Sequence, residues 1–281
     1  MQWLITGCSS GLGLYLARRI LSAGHKCIAT SRNPGTTPDY VAEIERLGGI
    51  WLPLDVSSNN LEKAIQAITE NYGFIDVLVN NAGFGDGGPL ETYSLEAGRA
   101  MMETNFFGPL RLMKALIPSM RERKQGVIVN VSSAAFWAPH AGVGVYSASK
   151  FALEGLSESL STELAPFGIR VIIAEPGEMR TKFVQADKVS HLTIPEAYKG
   201  TPAEAVLNFI TQRDGRQDID PARVAEAIVQ HVAHPPNSDL TLRLPLGTES
   251  LTFLTARAEN LSKLVDASAS FAKSCDFPKD E

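Results

Sequence analysis

Tyr146 and Lys150 stand four residues apart in the stretch Tyr146-Ser147-Ala148-Ser149-Lys150. On a helix that spacing puts both side chains on one face, a turn apart. A free phenol has a pKa of about 10 and is a poor acid or base near neutrality. A neighbouring ammonium favours the phenolate and makes the phenol a usable proton donor and acceptor. The pair therefore suits proton transfer at an oxygen atom. A second pattern lies near the first residue: Thr6-Gly7-Cys8-Ser9-Ser10-Gly11-Leu12-Gly13, a TGxxxGxG spacing. Between a strand and a helix, such glycines let backbone N–H groups and the positive helix end approach a phosphate. The spacing differs from the commoner GxGxxG fingerprint. Read alone, it fits a tight strand–helix turn as well as a phosphate seat.

These residues need elements to hold them. Apolar runs predict strands at residues 2–6, 27–31, 50–54, 77–80, 126–131, 170–174 and 240–244. Helical spacing predicts helices at 12–23, 40–47, 61–72, 95–121, 146–164, 221–233 and 249–267, the fourth bent by Gly108 and Pro109. The strands are short, β-branched and almost continuously apolar, as strands buried on both faces are. Their alternation with helices predicts an α/β fold, a doubly wound parallel sheet of about seven strands with helices on both faces. Residues 1–281 read as a single domain. The stretch of about 178–215 reads as a lid inserted after strand six, and about 248–281 as a helical extension.

Ligands of open α/β sheets bind at the carboxyl ends of the strands. That is where Asp55-Val56, Asn80-Asn81-Ala82-Gly83, Ser132-Ser133, Pro176-Gly177 and, just beyond, Thr181 fall. A carboxylate at Asp55 can reach an adenine amino group. Asn105 lies mid-helix.

The 281-residue chain has a formal net charge of -5 and no lysine- or arginine-rich run. This argues against nucleic acid or an anionic membrane as the main partner. Cys8, Cys27 and Cys275 are odd in number and widely spaced, which fits a reducing compartment rather than a disulfide framework. His231 and His234 stand three apart on a predicted helix and read as surface residues rather than a metal pair, so no metal is expected. No leader precedes the first strand and no apolar run reaches the ~18 residues of a membrane helix. A soluble cytoplasmic protein is expected.

The ordered set resembles the short-chain dehydrogenase/reductase family in its non-extended branch, motif by motif from Trp3 to Thr181. Residues 220–229 and 242–247 look most like the 17β-hydroxysteroid-dehydrogenase-like group. The resemblance implies a Rossmann-type fold and hydride transfer between a nicotinamide and a carbonyl or secondary alcohol, with Tyr146 as acid/base. It implies that Lys150 also binds the nicotinamide ribose and that Asn105 holds a water linking Lys150 to solvent. Ser133 precedes Tyr146 by thirteen residues, the family's usual separation, and is preferred to Ser132 for holding the substrate oxygen.

The implied cofactor seat starts with Gly7, Ser9, Ser10, Gly11, Leu12 and Gly13. It continues through Ser31, Arg32, Asp55, Val56, Asn81, Ala82 and Gly83. Tyr146, Lys150, Pro176, Gly177 and Thr181 complete it. NAD-using relatives often end the second strand with an acidic residue. Here Ser31 and Arg32 stand there, and a guanidinium pairs well with phosphate, so NADP(H) is expected over NAD(H).

Phe84, Phe136, Trp137, His140, Met179 and Phe183 either line an apolar pocket for a bulky lipophilic ketone or alcohol, or are ordinary packing. Relatives are often dimers or tetramers through the helices around Asn105 and Tyr146, so a homodimer or homotetramer is the implied state. Two other readings use the same residues: a non-catalytic NADP(H)-binding regulatory protein, and a redox-neutral isomerase or cyclase.

Overall fold

The computed structural model describes residues 1–183, 194–213, 215–235 and 242–277. Its strands are β1 (Gln2–Ile5), β2 (Lys26–Ser31), β3 (Ile50–Pro53), β4 (Val77–Asn80), β5 (Gly126–Val131), β6 (Ile169–Pro176) and β7 (Arg243–Leu246). They form one seven-stranded sheet in the order β3-β2-β1-β4-β5-β6-β7. Every pairing is parallel. The order reverses between β1 and β4, the switch point of a Rossmann-type sheet, where a crevice opens at the carboxyl ends.

The helices are α1 (Gly11–Ser22), α2 (Pro38–Arg46), α3 (Leu61–Tyr72), α4 (Leu95–Met102), α5 (Gly108–Arg123), α6 (Gly144–Leu164), α7 (Pro202–Gln212), α8 (Pro221–Ala233) and α9 (Thr248–Lys273). Alternation along β1 sorts the two cores. Trp3 and Ile5 face a cluster with Leu16 and Ile20 of α1 and Ile228 and Val229 of α8. Leu4 points to the opposite face, against Ile65 of α3, Leu112 and Leu116 of α5, and Leu164 of α6. A strand covered on both sides in this way must be apolar at every position.

Three elements depart from the sequence expectation. The expected helix 95–121 is broken by a π turn, Glu103–Phe107, just ahead of Gly108. A π turn adds a residue to the helical ring and re-aims the side chains within it; here it buries Asn105 completely. Gly108 permits the next contact, since a Cβ there would lie 2.8 Å from the Val56 carbonyl.

The stretch after β6 is not devoid of regular structure. It contains a 3-10 turn, Glu196–Tyr198, and α7. Leu207 of α7 lies over Gly87 and Gly142. Residues 184–193 and 214 of the expected lid lie outside the described residues, as do 236–241, which include the start of the expected seventh strand; its described part is β7, Arg243–Leu246. The terminal helix runs on to Lys273, beyond the expected end at 267.

Candidate active site

Gly7 and Gly11 adopt left-handed backbone conformations, with φ of 74° and 58°. Asn81 clamps this loop. Its side-chain amide donates to the Thr6 carbonyl at 2.8 Å and the Gly7 carbonyl at 3.1 Å. The Thr6 hydroxyl in turn accepts from the Asn81 and Ala82 N–H groups at 3.1 and 3.0 Å. A Cβ at Gly7 would stand 2.8 Å from the Ala82 Cα, and one at Gly13 would strike the Gly7 carbonyl and lie 2.6 Å from the Asn81 amide. At Gly7 and Gly13 the loop is thus pressed against the end of β4 and its own backbone with no space for a side chain.

Ser10 occupies the N-cap of α1 in extended conformation without a side-chain capping bond, and no acidic residue sits in the first turn. The leading N–H groups and the positive helix end therefore keep their attraction for an anion. Leu12 is buried in the core behind them, and Ser9 is half-buried. Thr181 packs on Gly11, where a Cβ would lie 3.3 Å from the Thr181 Cβ. Cys8 is buried, and burial pushes its thiol up to about 12, which leaves it inert as a nucleophile.

At the end of β2, the buried Ser31 hydroxyl accepts from the Trp51 indole at 3.0 Å. Arg32 is exposed beside it. Asp55 holds one carboxylate oxygen on Ser57, accepting from its N–H at 2.9 Å and its hydroxyl at 2.7 Å. The Val56 carbonyl accepts from Arg111 at 2.9 Å. At the end of β6, Pro176 is buried, and Gly177 donates to the Leu246 carbonyl at 3.1 Å with no room for a side chain beside Ile219.

The proton-handling residues converge next to this loop. Asn105 donates to the Phe84 carbonyl at 2.9 Å and to the Ser149 hydroxyl at 3.0 Å, and accepts from the Phe84 N–H at 3.1 Å. Gly83 fits beneath it, with a Cβ position 3.0 Å from the Asn105 side-chain oxygen. Lys150 is buried and donates to the Val131 carbonyl at 2.9 Å, with its Nζ 5.8 Å from the Tyr146 ring centroid. Burial lowers the Lys150 ammonium to about 8, and the charge of Glu154 opposes that drop. Burial pushes the Tyr146 phenol up to about 12, while hydrogen bonding from Ser133 pulls it down. Of the adjacent serines, Ser133 is the one whose hydroxyl lowers the Tyr146 phenol; Ser132 is buried and its hydroxyl has no direct hydrogen-bond partner.

The six pocket residues part company. Phe183 sets its ring edge against Tyr146, with centroids 6.0 Å apart, and Gly85 fits between them. Phe84 is partly exposed nearby, its backbone held by Asn105. Phe136 and Trp137 instead flank the Arg243 guanidinium, at 5.1 and 4.8 Å, and the Trp137 indole donates to Glu175 at 3.0 Å. Their rings serve packing around that cation. His140 faces Phe253 of α9. Met179 bridges to Ile219 and joins the core on the α1 face.

Sequence reasoning passed over Trp51, Ser149, Glu154, Glu175 and Arg243. A signal existed for Glu154: it lies four residues beyond Lys150, a charge on the buried face of α6.

Residues 2–190 match the short chain dehydrogenase family. The oxidoreductase claN of Passalora fulva is 44% identical over 206 residues, 73% of this chain and 93% of that protein. The 3-ketodihydrosphingosine reductase of Bacteroides thetaiotaomicron is 37% identical over 239 residues, 83% of this chain and 84% of that one. Among solved structures, a short-chain dehydrogenase from Streptomyces avermitilis superposes with a TM-score of 0.85 at 35% identity, covering 98% of this chain and 99% of its own. Serine dehydrogenase complexed with NADP+ superposes with a TM-score of 0.72 at 29% identity, over 87% of this chain and 94% of that one. Among the described residues no helix is long and apolar enough to cross a membrane. Sheet order, glycine loop and matched span agree: the chain belongs to the short-chain dehydrogenase family and is an oxidoreductase of the nicotinamide-dependent kind.

Proposed function

We propose that the protein is an NADP(H)-dependent reductase of a bulky lipophilic ketone. The observation that carries this reading is the convergence of Tyr146, Lys150, Ser133 and Asn105 beside an uncapped helix end and a glycine loop closed to side chains. A dinucleotide fits these features: the loop admits only close backbone approach, and the first N–H groups of α1 attract its pyrophosphate. When bound, the nicotinamide supplies the hydride for the carbonyl carbon.

The chain's own residues supply the rest. Ser133 holds the carbonyl oxygen, and Tyr146 donates its proton there. A charged Lys150 stabilises the phenolate left behind. Asn105 fixes the turn of α6 that carries both. Arg32, the exposed cation at the end of β2, selects the 2′-phosphate, because a guanidinium pairs well with phosphate. Phe84 and Phe183 offer apolar surface beside Tyr146, in keeping with the lipophilic ketone named for the Bacteroides thetaiotaomicron relative.

In this reading residues 1–281 act as one unit in the cytoplasm, with the 178–215 stretch on the substrate side and the extension from 248 beyond it. A groove of about 1000 Å³ along α4 and α6, with exposed Leu90, Leu95 and Phe107, supports self-association into a homodimer or homotetramer. The test is NADPH consumption with a panel of lipophilic ketones, for wild type and Tyr146→Phe. The variant should bind NADPH and lose nearly all turnover; unchanged turnover sinks the mechanism. A product of unchanged mass would favour an isomerase or cyclase, and consumption of no ketone a regulatory binder.

A further inference from the structure

Glu154 lies one helical turn beyond Lys150 on the same face of α6 and is almost wholly buried. A buried carboxylate is costly unless it is paired. Its partner comes from the far edge of the sheet: Arg243 of β7 donates to a Glu154 carboxylate oxygen at 2.6 Å. The same guanidinium binds Glu175 of β6, itself fully buried, and the exposed Glu158 of α6 at 2.7 Å. Phe136 and Trp137 cover the guanidinium. The second oxygen of Glu154 has no direct hydrogen-bond partner in this clamp. Ser132, at the end of β5, faces it. The charged and titratable groups around Glu154 are therefore Lys150 and Glu158 on its own helix, Glu175 on β6 and Arg243 on β7.

One cation is thus shared by three carboxylates, and the carboxylate nearest the site faces Lys150. We propose that Glu154, clamped by Arg243, is a positioning residue for the Tyr146–Lys150 pair, keeping the Lys150 ammonium charged and so setting the alkaline limit of turnover. The inference rests on the reading of Tyr146 and Lys150 as the acid/base pair. Burial strips the ammonium of water and favours its neutral form, and the buried anion one turn away opposes this. Once Lys150 loses its proton, the Tyr146 phenolate loses its stabilising charge and proton donation fails. The Glu154 carboxyl, raised by burial to about 7, is ionised where that limit falls.

The test is the pH profile of kcat and of kcat/KM for NADPH-dependent ketone reduction, in wild type, Glu154→Gln, Glu175→Gln and Tyr146→Phe. Glu154→Gln should move the alkaline limb about one pH unit lower. Glu175→Gln, which removes a buried carboxylate from the same cluster but not the one facing Lys150, should leave the limb in place. A folded Glu154→Gln protein with an unmoved limb overturns the proposal, and so does an equal displacement in both variants.

Should Glu154→Gln fail to fold, the wild-type protein carries the test. The 13Cε signal of Lys150, assigned by its loss in Lys150→Met, should show a second inflection near pH 7 as Glu154 ionises. Its absence overturns the proposal. Tyr146→Phe separates the two levels of failure. If it retains turnover, the acid/base reading itself falls; if it is inactive while the limb stays put in Glu154→Gln, only the role of Glu154 falls.

Discussion

The side-chain amide of Asn105 donates to the hydroxyl of Ser149 at 3.0 Å, tying the π turn between α4 and α5 to the first turns of α6. Ser149 passes the link on by donating to the Tyr146 carbonyl at 2.7 Å. The backbone carrying Tyr146 and Lys150 is thus braced from a helix that the chain builds some forty residues earlier.

Replacing Asn105 with Ala removes this brace and leaves the Phe84 N–H and carbonyl without their partner. Buried polar groups left unpaired cost about 1–3 kcal/mol each. We expect Asn105→Ala to lower the thermal midpoint and to reduce kcat by roughly 100-fold through misplacement of α6, with a smaller change in NADPH affinity. Calorimetry and steady-state kinetics check both. An unchanged kcat would remove Asn105 from the site.

Gly7→Ala tests the loop. A left-handed φ costs an L-residue about 1–2 kcal/mol, and the new methyl would press on the Ala82 backbone. The loop must then leave its place against β4. Fluorescence titration should show NADPH affinity weakened by tenfold or more, together with reduced stability. Wild-type affinity in this variant would mean that the cofactor does not sit on this loop.

Arg32→Asp tests cofactor choice. Arg32 is exposed, so the change should cost the fold little. Losing a charge-assisted hydrogen bond costs about 1.5–3 kcal/mol, and an aspartate would also repel the phosphate. The ratio of kcat/KM for NADPH over NADH should fall by roughly 10–100-fold. A preference for NADH already present in the wild type would contradict the assignment of NADP(H).

The buried lysine gives stability a pH dependence of known sign. In the folded protein Lys150 titrates at about 8, below its ordinary 10.5. Between those values the unfolded chain holds the proton and the folded one does not, so stability rises with pH. This contribution is complete above 10.5 and is lost as pH falls through 8. Glu154 has the opposite sign: its value of about 7, above the ordinary 4.5, gives stability below 4.5 that is lost as pH rises through 7. Relative to wild type, Lys150→Met should therefore abolish the rise above pH 8 in thermal midpoints measured across pH. A variant that keeps the wild-type rise would place its origin elsewhere.

Much of this protein is written in local pattern. The TGxxxGxG loop, the alternation of short apolar runs with helical ones, and the Tyr146–Lys150 spacing are short-range features. Strand and helix formation depend on nearest neighbours and burial period, so the order of elements and the parallel sheet follow from them. Helices 61–72 and 221–233 and strands 77–80 and 126–131 fall in the structure where the sequence puts them.

Other features depend on residues far apart in the chain. The π turn that buries Asn105 sits where periodicity reads as a simple helix bent by Gly108 and Pro109. The aromatics Phe136 and Trp137, candidates for a pocket by composition, pack on Arg243 because β7 docks beside β6 and delivers a cation between them. Glu154 and Arg243, 89 residues apart, meet for the same reason. The sequence by itself determined the fold class and the types of residue at the site. Only the tertiary structure decided which of them touch, because a hydrogen bond or ion pair depends on the distance between side chains that the docking of sheet and helices alone sets.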